Sequence, residues 1–150
     1  MKTIIESIQK NVKETSESFL NRDEKFLSQK PLPEKWSKKE IIGHLCDSAM
    51  NNIQRFIRGQ YENYPTINYE QYNWVNISAY NSYTKEEIIL LWSSLNKHLC
   101  KILENMPVEN YSKTCVMMSM GNETKGYSLK WIAEDYLSHL VHHLKKVNGD

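Results

Sequence analysis

Three histidines are the residues of this chain best suited to chemistry: His44, His139 and His143. His139 and His143 are four apart in a stretch with helical periodicity, which sets their Cβ atoms on one face roughly 5–6 Å apart. Counting about 100° per residue from His139, His143 falls near 40° and the centre of the apolar arc near 90°, so the pair is expected on the shoulder of a core. His142 falls near −60°, on the polar side, and is read as a solvated neighbour. His44 lies on a different helical stretch, about 100° from the centre of its apolar stripe and in line with Ile41, Ser48 and Arg55, and is expected on a shoulder too. Three neutral imidazoles from two neighbouring helices form a facial set of nitrogen ligands at about 2.0–2.1 Å from a divalent ion, with positions left over for water or substrate. Such an ion lowers the pKa of bound water or stabilises a thiolate. His98, between Leu95 and Ile102, is read as structural.

Four main helices must position these rings. The first is expected from about Thr3 to Leu20, where Ile4, Ile5, Ile8, Val12, Phe19 and Leu20 form one apolar face. A short stretch around Asp23 to Ser28 precedes Pro31-Leu32-Pro33, where proline stops any helix. Ser37-Lys38-Lys39-Glu40 has the pattern of a capping box and starts the second helix, which carries His44 and runs to about Gly59. Thr84-Lys85-Glu86-Glu87 repeats the pattern ahead of the third helix, closed by Pro107. Ser128 is expected to cap the fourth helix, with Asn148-Gly149 as its terminator. The connections Gln60–Tyr83 and Val108–Tyr127 exceed the two to eight residues usual in bundles. The first carries six of the nine tyrosines plus Trp74, read as aromatic plugs for an open side of the bundle. The second contains Gly121-Asn122, a turn suited to a short hairpin from Thr114 to Lys125.

The chain is expected to be one domain across residues 1–150, since that length supports a single core. A formal charge of +1 offers no field for polyphosphate, which argues against a nucleic-acid partner. The longest apolar runs, such as Ile88 to Trp92, fall far short of the roughly 20 residues of a membrane span. Residues 1–10 lack the features of a signal peptide. Cys46, Cys100 and Cys115 are odd in number and widely spaced, which suits a reducing compartment, so a cytoplasmic location is expected.

With these residues assembled, the chain resembles the DinB/YfiT-like family of four-helix bundles. The resemblance rests on Lys35-Trp36-Ser37-x-x-Glu40-Ile41-Ile42-Gly43-His44-Leu45-x-Asp47-Ser48, on Tyr69 to Trp74, and on His139-x-x-x-His143-Leu144. It implies an all-α fold, a divalent metal, zinc or nickel, on His44, His139 and His143, and a homodimer. Relatives of this kind include transferases that attach a low-molecular-weight thiol such as bacillithiol to electrophiles, and a thiol-dependent isomerase. The leading expectation is therefore metal-dependent thiol transfer to a small-molecule electrophile in a stress or detoxification role. Asp47 and Asp135, each one turn from a histidine, are candidates to orient an imidazole or handle a proton. Arg55 is a candidate for a cofactor carboxylate or for a surface ion pair. Two other readings use the same residues: a hydrolase with metal-activated water, and a metal-binding protein without catalysis.

Overall fold

The stripes of apolar residues become four long helices in a computed structural model that describes residues 1–118 and 124–149. In chain order the helices are α1 (Lys2–Leu20), α2 (Glu24–Ser28), α3 (Lys38–Arg58), α4 (Gln71–Ser78), α5 (Lys85–Glu104) and α6 (Leu129–Asn148). Both capping boxes form as the sequence predicts. The Ser37 hydroxyl accepts from the Glu40 amide at 3.1 Å while the Glu40 carboxylate accepts from the Ser37 amide at 2.8 Å. Thr84 and Glu87 do the same at 3.2 and 2.8 Å. Ser128 caps α6 by accepting from the Trp131 amide.

The long helices form a ring of neighbours: α1 packs on α5, α5 on α3, α3 on α6, and α6 on α1. Two successive pairs, α1 with α3 and α5 with α6, therefore sit diagonally, and their connections must cross the bundle end. That accounts for the length of the α5–α6 connection. It includes strands β1 (Thr114–Met118) and β2 (Thr124–Ser128), antiparallel from Thr114 opposite Ser128 to Met118 opposite Thr124. The hairpin thus reaches Ser128 rather than Lys125, because Ser128 keeps extended backbone as it caps α6. The expected Gly121-Asn122 turn lies outside the described residues.

The Gln60–Tyr83 connection joins adjacent helices and is longer than that task needs. It is not the plain loop its sequence suggests. Residues 65–67 lie along β1, with the Val116 amide donating to the Pro65 carbonyl at 2.8 Å and the Ile67 amide to the Val116 carbonyl at 3.1 Å. The chain then forms α4, which packs on α3, and reverses at Ala79, whose φ of 50° is the left-handed conformation that few non-glycine residues adopt. This reversal drops Tyr80 onto α3. Tyr80 is the buried plug among the connection's aromatics, while Tyr61, Tyr64 and Tyr72 are exposed.

With α5, α6, α4 and α2 all packed on it, α3 is enclosed on nearly every side. This corrects the shoulder position expected for His44, which is fully buried. A helical-wheel angle counts only one apolar partner face, and α3 has several. His139 and His143 are half-buried and His142 exposed, as their angles predict.

Gly43 lets Tyr80 reach α3, because a Cβ at that position would lie 2.0 Å from Cδ2 and 2.2 Å from Cγ of the Tyr80 ring. Alanine gains up to about 1 kcal/mol in helix propensity over glycine. Displacing a buried ring costs about 1–3 kcal/mol. Gly43→Ala is therefore expected to lower stability by about 1–2 kcal/mol in urea unfolding, and unchanged or higher stability would contradict this packing.

Candidate metal centre

The site begins at the helix ends. The Lys38 ammonium, at the start of α3, donates to the carbonyls of Lys146 and Val147 at the end of α6, and Arg22 also reaches the Val147 and Asn148 carbonyls, each at 2.9 Å. The two helices therefore run antiparallel and in fixed register. At 1.5 Å per residue, His44 lies about 9 Å along α3 from Lys38, while His143 and His139 lie about 6 and 12 Å back along α6 from Val147. His44 is thereby set between the other two.

The coordinating nitrogens of His44, His139 and His143 lie within 4.8 Å of one another. The Nε2 atoms of His44 and His139 are 3.0 Å apart, and the ring centroids are 4.5–5.1 Å apart. Burial, reinforced by the other histidines and Lys146, holds the ring pKa down to about 3 for His44 and His143. Burial, with His142 and Arg55, holds His139 to about 4. All three rings are neutral at pH 7 and offer lone pairs. Nδ1 of His44 and of His143 is buried without a hydrogen-bonding partner among the described residues. Three neutral imidazoles, two of them with an orphaned Nδ1, converge from two braced helices and form a donor set that fits a divalent ion.

His139 and His143 help to line a cleft of about 880 Å³. Trp36, next to the Ser37 cap, packs its ring 5.0 Å from that of His44 and 5.2 Å from that of Tyr72 on α4. The sequence offers Tyr72 as one of the plugging aromatics, which its 67% exposure corrects, and offers Trp36 as part of a family-like stretch with no role at the site. The available signal was that Trp36 directly precedes the cap of the helix that carries His44.

The other candidates stand behind the rings. Asp47 is buried and accepts a short hydrogen bond from the Tyr80 hydroxyl, while its Oδ2 has no partner among the described residues. Burial raises its carboxyl to about 6, against the opposing bond from Tyr80. Asp135 lies on the exposed side of α6, its carboxyl raised by partial desolvation and lowered by Arg55. Neither carboxylate bonds the orphaned Nδ1 of His44 or His143. Among the described residues Arg55 makes no surface ion pair: it is buried, and its guanidinium donates to the Ile67 carbonyl at 2.9 Å and to Asn52 at 3.4 Å. His98 is exposed on α5, outside the histidine group.

A family model described as the DinB superfamily matches residues 8–147. A Bacillus licheniformis protein named "Putative metal-dependent hydrolase" is 21% identical over 117 residues, covering 75% of this chain and 66% of its own length. A Bacillus cereus protein of the same description is 23% identical over 150 residues, covering 97% and 86%. Among solved structures, YfiT from Bacillus subtilis, described as "a probable metal-dependent hydrolase with an unusual four-helix bundle topology", has a TM-score of 0.74 at 15% identity, covering 99% of this chain and 88% of that one. The mycothiol-dependent maleylpyruvate isomerase has a TM-score of 0.75 at 10% identity, covering 95% of this chain but only 59% of its own. Both likenesses show a shared fold. No helix among the described residues is long and apolar enough to cross a membrane.

Two outcomes follow from this geometry. Saturating zinc or nickel, at about 100 times Kd, should raise Tm by about 5–10 °C in the parent and in His142→Ala, and by under about 2 °C in His139→Ala or His143→Ala. An equal rise in all four proteins would place the ion elsewhere. For Asp47, a folded pKa above the ordinary 3.8 means that protonation favours the folded state. Its contribution is full below about pH 4 and is lost as pH rises through 6. Asp47→Asn keeps an acceptor for Tyr80 without the charge, so it should gain stability relative to the parent between pH 4 and 7. Urea midpoints that differ by a constant amount across that range would contradict the assignment.

Proposed function

The chain belongs to the DinB superfamily, and from that premise we propose that it is a divalent-metal-dependent enzyme that transfers a low-molecular-weight thiol, such as bacillithiol, to a small electrophile in stress or detoxification. The observation that carries the reading is the convergence of three neutral imidazoles beside an 880 Å³ cleft. His44, His139 and His143 would hold zinc or nickel. Bound there, the ion would supply Lewis acidity, favouring the thiolate of a coordinated thiol or the hydroxide of a coordinated water.

The chain's own thiols are poorly placed for the nucleophilic role. Cys46, Cys100 and Cys115 are buried, and desolvation raises all three. A nucleophile brought in from solution fits better, and the cleft is within the size range that accommodates small-molecule ligands. Trp36 screens the His44 side of the site from water. In this reading Arg55 acts by holding Ile67, and with it the connection that carries Tyr72, rather than by receiving a cofactor carboxylate.

Hydrolysis is the second reading, favoured by the descriptions of the Bacillus relatives. Asp47, held near neutral pH by burial, is the better suited of the two carboxylates to accept a proton, with Asp135 nearer solvent as the other candidate.

The test offers metal-loaded protein a generic aryl halide with cysteine, glutathione or bacillithiol, alongside a panel of esters and amides without thiol. Thiol-dependent turnover is expected, lowered at least about 100-fold in His143→Ala and within about threefold of the parent in His142→Ala. Ester or amide turnover without thiol would replace transfer with hydrolysis, and no turnover on either panel would contradict both.

A further inference from the structure

The cleft over the histidines carries a pattern of charge and shape that holding an ion does not require. Its walls present aromatic rings to solvent: Tyr72 is 67% exposed and Phe26 40% exposed, with Trp36 beside Tyr72. Exposed rings gathered in one cleft, unlike single ones scattered over a surface, suit contact with another molecule. Three lysines, Lys35, Lys38 and Lys146, line the same cleft against one carboxylate, Glu34. Three positive charges less one negative give a local +2, twice the +1 of the whole chain.

The lysines differ in what they already do. Lys38 caps the end of α6 and stands 5.1 Å over the Phe26 ring. Lys35 and Lys146 have no carboxylate within ion-pair distance among the described residues. Lys146 lines the cleft together with His139 and His143, one helical turn beyond His143 on α6. A cationic side chain beside a cluster of neutral rings that would bind a cation is electrostatically unhelpful to the site alone. It becomes favourable when an anion shares the cleft.

We infer that the cleft selects an organic anion, with a flat apolar or aromatic body against Trp36, Tyr72 and Phe26 and a carboxylate or phosphate group reached by Lys35 and Lys146. This names the substrate class of the site proposed above and rests on that site being one for a small molecule. Lysine recognises such groups as a point charge without demanding a bidentate geometry, so carboxylate and phosphate share the chemistry.

The experiment is calorimetric titration of the full chain, chelator-treated and, in parallel, zinc-loaded. The probes are 2-naphthoate, 2-naphthyl phosphate, 2-naphthylmethanol and 2-naphthylmethylammonium. In the chelator-treated protein both anions, or one of them, should bind about tenfold tighter than the alcohol, with the ammonium weakest and the preference shrinking as salt rises. Whichever anion is tighter identifies the group the lysines take. Lys35→Gln/Lys146→Gln, with both changes on the exposed surface, should remove the preference while leaving binding of the alcohol within about twofold. Equal binding of alcohol and anions, a preference that survives the double substitution, or no binding of any probe would overturn the inference. No turnover is read, so these failures leave the metal-dependent reaction standing, and absence of turnover leaves these affinities unaffected.

Discussion

Two neutral imidazoles can satisfy one another, one donating and the other accepting, as the 3.0 Å approach of His44 and His139 allows. A third neutral ring brings one more N–H and one more lone pair that this bond does not use, and here Nδ1 of His44 and of His143 is buried without a partner among the described residues. The rest of the structure depends on keeping three such rings together. Desolvation sets their charge state, because burial disfavours imidazolium enough to leave all three free bases at neutral pH. Left as they are, these unsatisfied nitrogens cost stability. An ion that takes the lone pairs turns that cost into affinity, which links the site's chemistry to the stability of the bundle.

Holding the rings in place falls to α3, and the polar residues buried along it act as fasteners. Lys39 pairs with Glu24 and donates to the Tyr83 carbonyl, tying α2 and the start of α5 to α3. Asp47 receives Tyr80, whose ring fits because residue 43 has no side chain. Arg55 holds Ile67 against the hairpin. Each of these charged groups carries a desolvation penalty that only a specific partner offsets. Their common effect is to press the Gln60–Tyr83 connection onto α3, which stands Tyr72 beside Trp36 in the lining of the cleft.

The four helices and their starts were legible in the sequence because the signals are local: a serine or threonine three residues before a glutamate, and an apolar stripe of helical period. The shoulder positions of His139 and His143 were legible for the same reason, since α6 has one principal buried face. The buried position of His44 is not legible from its wheel angle because α3 has more than one packing face: the His139 and His143 rings on α6 and the Trp36 ring ahead of α3 all lie against it. α4 itself has a weak apolar pattern, and its place is set by contact with α3 more than by its own sequence. The partners of Asp47 and Arg55, 33 and 12 residues away, carry no periodic signal that could have announced them. Spacing brought the three metal-binding candidates to notice. Only their packing shows that they share one point.

The convergence of His44, His139 and His143 on a single ion is tested most directly by crystals of zinc-loaded protein with diffraction recorded on both sides of the zinc absorption edge. A single strong anomalous peak per chain, within about 2.0–2.1 Å of a ring nitrogen from each of the three histidines, is the expected result. A peak bound by His142 or by surface carboxylates, with the three rings still bonded only to one another, would contradict the account.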